Sequence, residues 1–263
     1  MDLTIYNSVQ KKAILNKDGP CLIIAGAGSG KTSVLTSRVN FLIECGVSCD
    51  SILCVTFTNK AANEMRERLL YTLGTSVYDI KISTFHSFGL FLIKKHFDLL
   101  GYSTNFTILD NNDSLNLIKI IIKELDLSLD HYNPYIIKDI ISNSKNNFIN
   151  SLEYEKFVTN DYEKNVFMIF KLYEIKLKKN NCVDFEDLLY LPVSLFKCHK
   201  DILEIYQDLY KYILIDEYQD INNVQYMLVK MLSDKNKNIC VVGDESQSIY
   251  SFRGANFNNI LNF

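Results

Sequence analysis

The sequence predicts an α/β fold in which a parallel sheet carries a helical insertion. Short apolar runs that favour β-strands lie at 21–25, 52–57, 80–84, 212–216 and 239–243. Amphipathic helical patterns follow most of them, as at 31–43 and 60–72. Strands that alternate with helices are typical of doubly wound parallel sheets, which bind ligands at the carboxyl ends of their strands.

The segment 91–183 differs from the rest of the chain. It contains long amphipathic stretches, such as Leu115–Leu125 and Glu163–Lys179, and glycine is absent between Gly101 and Gly243. No alternation of strands with helices is evident there, which predicts an all-helical insertion. We therefore expect one domain formed by 1–90 and 184–263 and a second formed by 91–183. The alternative is that this segment extends the core of the first domain.

Composition limits the class of protein. The 263 residues are 48% hydrophobic, and no apolar run approaches the roughly 20 residues of a membrane span. No basic region followed by an apolar one opens the chain, and the seven cysteines form no CxxC pair. We expect a cytoplasmic protein with reduced thiols and no membrane partner. A net charge of −3 and a pI of about 5.8 do not indicate a basic nucleic-acid-binding domain, although a local basic groove would suffice.

The first strand leads into a phosphate-binding pattern. Residues 25–32 read Ala-Gly-Ala-Gly-Ser-Gly-Lys-Thr and directly precede a predicted helix. Glycines let backbone N–H groups surround an anion, and the helix N-terminus adds unpaired donors. Lys31 is placed to reach the β- and γ-phosphates of a nucleotide, and the Thr32 hydroxyl to ligate Mg²⁺. The strict pattern has glycine where this chain has Ala25. The candidate nucleotide-binding residues here are Gly26, Ala27, Gly28, Ser29, Gly30, Lys31, Thr32 and Ser33.

The fourth strand ends in a second half of this site. Residues 213–220 read Ile-Leu-Ile-Asp-Glu-Tyr-Gln-Asp. An acidic pair at the end of a buried strand is what a phosphate-loop ATPase needs opposite its glycine loop. We expect Asp216 to hold Mg²⁺ and Glu217 to orient and deprotonate the attacking water.

The fifth strand ends in a third polar cluster, at 241–255. Gln247 is a candidate sensor of the γ-phosphate. Tyr250, Phe252 and Arg253 place two aromatic rings and a cation just beyond it. Aromatic side chains near a nucleotide site either pack in the core or form a stacking platform for bases.

Taken together, these motifs resemble those of the UvrD/Rep/PcrA-type superfamily 1 DNA helicases. The resemblance covers roughly 1–90 and 184–263. It includes Tyr-Asn-Ser-Val-Gln at 6–10, where Gln10 would read adenine, and Asp-Phe-Glu-Asp-Leu-Leu at 184–189, where the chain would re-enter the motor domain. It implies a RecA-like motor domain, called 1A, with a 1B insertion. It also implies ATP and Mg²⁺ as cofactors, and 3′→5′ translocation on single-stranded DNA coupled to ATP hydrolysis.

The resemblance also assigns candidate DNA contacts. Thr56, Thr58 and Asn59 could bond a phosphate, Phe57 and Phe85 could line a base pocket, and Lys60 adds positive charge. A strand Phe such as Phe57 would by itself be read as core, and His86 is either a DNA contact or a polar core residue. The complete set of candidates is Thr56, Phe57, Thr58, Asn59, Lys60, Thr84, Phe85, His86, Tyr250, Phe252 and Arg253. The implied substrates are single-stranded DNA and its junctions with duplex.

The chain departs from the family pattern in three places. Ser33 stands where many relatives carry an arginine that packs on adenine, and Phe252 stands where a tryptophan is usual. The sequence also ends at Phe263, so the second motor domain of the family, with its arginines, is expected to be a missing partner.

Two other interpretations stay open at this point. A phosphate-loop kinase or GTPase is disfavoured by the Gln-Asp that follows Asp216-Glu217 and by the cluster after the fifth strand. A DNA-binding or interaction module that keeps the fold but does not turn over ATP is the stronger rival. Lysines at 171, 176, 178 and 179 favour a solvated helix face, with DNA backbone contact as the alternative.

Overall fold

The computed structural model describes residues 3–26 and 28–244. Its strands are β1 (Cys21–Ile24), β2 (Ile52–Thr56), β3 (Lys81–Thr84), β4 (Thr107–Ile108), β5 (Cys182–Val183), β6 (Tyr212–Ile215) and β7 (Ile239–Gly243). Its α-helices are α1 (Ser8–Leu15), α2 (Lys31–Glu44), α3 (Asn59–Leu73), α4 (Phe85–Lys95), α5 (Asn111–Glu124), α6 (Pro134–Asn146), α7 (Ser151–Tyr154), α8 (Asp161–Lys179), α9 (Asp187–Cys198), α10 (Lys200–Leu209) and α11 (Asn223–Ser233). Short 3₁₀ helices lie at Cys49–Ser51, Gly74–Asp79, Glu155–Phe157 and Tyr218–Asp220.

The five predicted strands form one parallel sheet in the order β1-β7-β6-β2-β3. Every residue of β2, β6 and β7 is buried, as their continuous apolar runs predict for strands covered on both faces. The α/β class with a parallel sheet is thereby confirmed. Because all five strands run in one direction, the segments that follow them emerge at the same edge of the sheet.

The described chain divides into two compact units. Unit 1 contains residues 3–26, 28–88 and 196–244, and unit 2 contains 89–195. The chain crosses between them within α4 and within α9. The second crossing lies later than the predicted boundary at 183/184, because Asp184 and Asp187 are held by Lys145 within unit 2.

One apolar cluster of unit 1 lies on one face of the sheet. Apolar side chains of α2 and α3 pack there against the strands, with Leu35, Leu42, Met65 and Leu69 almost fully buried. A smaller cluster joins Tyr6 and Ile14 of the N-terminal segment to Val34. These contacts fix α2, and with it the loop that precedes it, against the sheet.

Unit 2 is mainly helical and has a core of its own. The apolar faces of α5, α6 and α8 meet there, which accounts for their amphipathic patterns. The buried members are Ile118, Ile121, Ile122, Tyr132, Ile137, Ile141, Val166, Ile169, Phe170, Tyr173 and Leu177. The unit also contains a short parallel pair, β4 with β5, that the sequence did not predict. Two-residue strands are too short to show a strand periodicity.

Candidate nucleotide-binding site

The loop between β1 and α2 has the conformation of an anion cradle. Gly28 and Gly30 adopt positive φ angles of 71° and 83°, which glycine tolerates without strain. Gly30 is the N-cap of α2, and among the described residues (3–26 and 28–244) no side chain caps this helix end. The first N–H groups of α2 therefore lack the intrahelical and side-chain acceptors that would otherwise satisfy them. Such a helix end favours a bound phosphate.

Ala25 is compatible with the site although the strict pattern has glycine there. Its N–H donates to the Gly243 carbonyl at 3.0 Å, so the residue continues the pairing of β1 with β7. It does not have a positive φ angle. Alanine is therefore accommodated at this position without backbone strain.

Gln10 lies directly against the loop. Its side-chain amide donates to the Ser29 carbonyl at 2.9 Å, and its Oε1 accepts from the Asn7 N–H at 2.9 Å. Asn7 in turn caps α1, so the two residues form a capping box. The structure thus places Gln10 against the loop that precedes α2, while its role toward adenine stays a prediction.

Ser33 is held by a residue that the sequence analysis missed. The Tyr6 hydroxyl lies 2.7 Å from both Ser33 Oγ and Ser37 Oγ. Nearby, the buried Arg38 guanidinium donates to the carbonyls of Ala13 and Lys17. These bonds fasten the N-terminal segment to α2. A buried arginine that pairs with backbone carbonyls leaves no periodic signal in the sequence.

Lys31 and Thr32 face the carboxylates that follow β7 and β6. Lys31 Nζ lies 3.4 Å from Asp244 Oδ2, and the two side chains are only 10% and 3% exposed. Thr32 Oγ1 donates to Asp216 Oδ2 at 3.2 Å. The predicted halves of the site therefore meet at one edge of the sheet.

Glu217 is held in an unusual backbone conformation. Its φ and ψ angles of 54° and 45° lie in the left-handed region, which non-glycine residues adopt only at an energetic cost. Its N–H donates to Asp216 Oδ1 at 3.0 Å, and its Oε2 accepts from Gln219 Nε2 at 2.8 Å. The sharp turn lets consecutive carboxylates project from the end of one strand.

The site concentrates negative charge in a poorly solvated region. Burial and then the charge of Glu217 raise the pKa of Asp216 above its ordinary value, while hydrogen bonds and Lys31 oppose the shift. The same two causes raise the pKa of Asp220 to about 6. A cation bound beside these carboxylates would oppose both shifts.

The donor set fits magnesium in one specific way. Within residues 3–26 and 28–244, no three His, Cys, Asp or Glu side chains are arranged to hold a metal ion by themselves. Thr32 and Asp216 nevertheless bring two oxygen atoms together beside the phosphate loop. Magnesium commonly uses one or two protein oxygens and completes its shell with water and nucleotide phosphates.

The segment after β2 presents several predicted DNA contacts at the surface. Thr58 is the N-cap of α3 and accepts from the Ala61 N–H, while Asn59 is exposed and Phe57 is half-buried. The Lys60 side chain is 87% exposed and lies 4.0 Å from Glu64. Thr56 is different, because it is fully buried and its hydroxyl donates to the Thr58 carbonyl. The prediction that this hydroxyl contacts DNA is therefore wrong for the structure described here.

The segment after β3 requires a second correction. Phe85 is 2% exposed, so its ring belongs to the core and offers no face on which a base could stack. Thr84 is 7% exposed, and its Oγ1 both contacts Ser87 Oγ and accepts from the Ser87 N–H. Thr84 therefore serves the start of α4 rather than a DNA phosphate. His86 is half-buried.

Several predicted residues lie outside the described part of the chain. They are Ala27, Gln247, Tyr250, Phe252 and Arg253. Their roles stay predictions. Conversely, the sequence patterns give no role to Gln219 and Asp220, which lie inside the motif at 213–220, or to Asp244, which directly follows the fifth strand.

No helix in the described residues is long and apolar enough to cross a membrane.

Comparison with known proteins gives a consistent picture. The family model of the UvrD/REP helicase N-terminal domain matches residues 6–263. A protein named ATP-dependent DNA helicase PcrA from Bacillus subtilis is 46% identical over 262 residues, and one of that name from Leuconostoc citreum is 43% identical over 259. A Staphylococcus aureus relative of the same name is 42% identical over 262 residues. The matches cover 98–99% of this chain but only 35–36% of these relatives.

Proposed function

Because the chain belongs to the UvrD/REP helicase N-terminal domain family, we propose that it is the ATP-binding part of an ATP-dependent DNA helicase. The observation that supports this most directly is the convergence of Lys31, Thr32, Asp216 and Glu217 at one edge of the parallel sheet. Phosphoryl transfer requires a cationic phosphate cradle, a metal-binding carboxylate and a group that orients water. The chain supplies a residue for each requirement.

We assign the roles as follows. The phosphates are bound by the backbone N–H groups around Gly28 and Gly30 and by the Lys31 ammonium. Lys31 then replaces its contact with Asp244 by a contact with phosphate oxygens. Gln10, which lies next to this loop, binds the adenine. Glu217 orients the attacking water and accepts its proton. Gln247 is proposed to face the γ-phosphate.

Thr32 and Asp216 would hold Mg²⁺. The ion, when bound, neutralises charge on the phosphate oxygens. Asp216 is suited to this because burial makes its own negative charge costly, and a cation offsets that cost.

The proposed substrate is single-stranded DNA and its junctions with duplex, with 3′→5′ movement. Thr58, Asn59 and Lys60 provide exposed polar groups after β2. Phe57, directly after β2, and His86, two residues after the end of β3, are half-buried. Tyr250, Phe252 and Arg253 complete the proposed set. We further propose that unit 1 is the motor domain 1A and unit 2 the insertion 1B.

Binding of a fluorescent ATP analogue with Mg²⁺ tests the nucleotide assignment. Lys31→Ala removes a charge-assisted contact worth about 1.5–3 kcal/mol, so affinity should fall roughly ten- to a hundredfold. Lys12→Ala, which removes an exposed lysine from α1, is the matched control and should bind as the wild type does. A thermal melt of each variant checks that the fold is retained, since Lys31→Ala also leaves Asp244 without this ion pair. Equal affinity of folded Lys31→Ala and wild type would reject the role of Lys31.

A further inference from the structure

Six residues around the candidate site form a closed ring of contacts. Lys31 contacts Asp244 and its neighbour Thr32 contacts Asp216, as described above. Asp216 accepts from the Glu217 N–H, and Glu217 is bonded to Gln219. The ring closes where the Asp244 N–H donates to Gln219 Oε1 at 2.9 Å. Gln219 and Asp244 are the members of this ring to which the family resemblance gives no role, and of the two only Gln219 contacts Glu217 through its side chain.

Gln219 uses its whole side-chain amide. The residue is 1% exposed, and its Nε2 donates to Glu217 Oε2 at 2.8 Å and to Asp220 Oδ2 at 3.3 Å. Its Oε1 accepts from the Asp244 backbone. An amide has two N–H donors and one carbonyl acceptor, so both donors and the acceptor are engaged.

These partners determine which way the amide points. In the flipped orientation, the amide oxygen would face two carboxylate oxygens and the NH₂ group would face the Asp244 N–H. Both contacts would be repulsive in a region that excludes water. The orientation observed is therefore the one that the surroundings enforce.

The Glu217 carboxylate is the group that this amide holds, through the bond from Gln219 Nε2 to Glu217 Oε2. Glu217 occupies a left-handed turn and not a helix or strand. A general base is effective only if its acceptor atom is held at the right place, which is why bases are commonly oriented by a third group. Gln219 Nε2 contacts Oε2, and the other carboxylate oxygen, Oε1, is then directed by that bond.

Asp220 adds a second observation. Its Oδ2 takes the other N–H of Gln219, while its Oδ1 is buried without a hydrogen-bond partner in the part of the chain that the structure describes. A buried carboxylate oxygen without a partner is costly. Keeping Asp220 at this position therefore has a stability cost, and the bond that it makes helps to fix the Gln219 amide.

We propose that Gln219 is a positioning residue that orients the Glu217 carboxylate and links it, through the Asp244 backbone, to Lys31. This inference rests on the proposed function, because it assumes that Glu217 acts on ATP. Through the ring, the position of Glu217 depends on the strand end that also contacts the phosphate-binding lysine.

Two substitutions separate this role from simple packing. Gln219→Met keeps the length of the side chain but removes its donors and its acceptor. Gln219→Glu keeps an acceptor for the Asp244 N–H but loses both donors. Gln207→Met is the matched control, since Gln207 is also a buried glutamine of unit 1, bonded to the Met231 carbonyl away from the site.

Affinity for Mg·ATP and hydrolysis of bound ATP are then measured separately. Hydrolysis is followed as a single turnover of radiolabelled ATP with the purified chain in excess. Both Gln219 variants should bind within about threefold of the wild type but hydrolyse at least about tenfold more slowly, a part of the 10²–10⁴ that a positioned base contributes. Gln207→Met should hydrolyse at the wild-type rate. In ¹⁵N–¹H spectra without nucleotide, the Asp244 amide signal should move in Gln219→Met and stay close to the wild-type position in Gln219→Glu.

The outcomes distinguish the inference from the function on which it rests. If the wild type does not bind ATP, the proposed function fails and the inference with it. If it binds ATP but hydrolyses it no faster than Glu217→Gln does, Glu217 does not act as a base in this chain and the inference is overturned while the ATP-binding assignment stands. If the wild type is faster than Glu217→Gln but Gln219→Met and Gln219→Glu match the wild type, only the inference is overturned. Should Gln219→Met not fold, Gln219→Glu gives the same decision. The inference is also overturned if the Gln219 variants lose affinity for Mg·ATP to the same degree as they lose hydrolysis rate, because that result indicates a general structural role.

Discussion

Buried carboxylates and their few partners determine the chemistry of the nucleotide site at the scale of single residues. Asp216, Glu217, Asp220 and Asp244 all lie at one sheet edge, and Lys31 is the cation among them. Like charges at short range in a poorly solvated region raise the free energy of the ionised forms. A further cation bound beside these carboxylates would therefore stabilise the cluster.

Asp220→Asn should stabilise the folded chain at neutral and higher pH. The raised pKa of Asp220, about 6 against an ordinary 3.8, means that the folded chain binds this proton more tightly than the unfolded chain does. The stabilising contribution of Asp220 to the free energy of unfolding is therefore fully present below pH 3.8 and is lost as the pH rises to about 6 and above. Urea denaturation should show a growing advantage of Asp220→Asn over wild type between about pH 4 and about pH 7. A difference that is independent of pH would contradict this account of the Asp220 environment.

Single residues also show where sequence reasoning succeeds and fails. Lys31, Thr32, Asp216 and Glu217 were predicted because a motif joins residue type to a strand end, and the structure brings them together. The motif around Phe85 predicts a DNA contact, yet this side chain is buried. The sequence specifies that Phe85 follows a strand but not whether its ring turns inward, since that depends on packing against distant segments.

At the scale of secondary-structure elements, a buried cluster of charged side chains joins α6 to the start of α9 in unit 2. Lys145 of α6 lies 2.6 Å from Asp184 Oδ2 and 2.8 Å from Asp187 Oδ1, and all three side chains are almost fully buried. Asp184 and Asp187 also accept each other's backbone N–H at the start of α9. Burial alone would lower the pKa of Lys145, but the two carboxylates raise it well above its ordinary value.

Lys145→Met should destabilise unit 2 strongly. It leaves two buried carboxylates without their cation, and breaking a buried ion pair in this way costs about 3–5 kcal/mol. The control is Lys176→Met on α8, which removes a more exposed pair with Glu124 and should cost about 1 kcal/mol or less. Urea denaturation of both variants gives the comparison. Similar small losses in the two variants would show that the buried cluster contributes little.

This cluster could not be predicted from the sequence. A lysine in an amphipathic helix is normally read as a surface residue, and its partners lie 39 and 42 positions away. The helices themselves were predictable, because α5, α6 and α8 repeat apolar residues at helical spacing. Local periodicity determines which face of a helix is apolar but does not show which polar residue is buried against another element.

At the scale of the whole molecule, each unit has its own apolar core. Leu42 belongs to the core of unit 1 and Phe170 to that of unit 2, and both are fully buried. If the units are separate domains, as proposed, a cavity made in one core should weaken mainly that unit.

Hydrogen exchange measured by mass spectrometry tests this separation. Leu42→Ala should accelerate exchange chiefly in peptides from unit 1, and Phe170→Ala chiefly in peptides from unit 2 (89–195). Each substitution serves as the control for the other. An equal acceleration throughout the chain in both variants would indicate a single cooperative domain and contradict the proposed 1A and 1B assignment.

At this scale, we propose that these 263 residues bind ATP as one part of a motor that needs a second motor domain. The relatives are almost three times longer, and the family resemblance implies that arginines of a second motor domain complete the site. A positioned arginine alone can be worth 10³–10⁵ in the rate of phosphoryl transfer. Weak binding to single strands should nevertheless remain, and it should fall between about 50 mM and about 200 mM salt because it depends on phosphate contacts.

The most direct test is a coupled-enzyme ATPase assay of the purified 263-residue chain, with and without a single-stranded oligonucleotide. The expected result is that the chain binds Mg·ATP but turns it over very slowly in steady state, with little stimulation by DNA and no unwinding of duplex. The hydrolysis rate of Glu217→Gln, which lacks the proposed base, is taken as the background. Rapid turnover that DNA stimulates, and that persists on dilution, would contradict the claim, whereas loss of that activity on dilution would indicate that a second copy supplies the arginines.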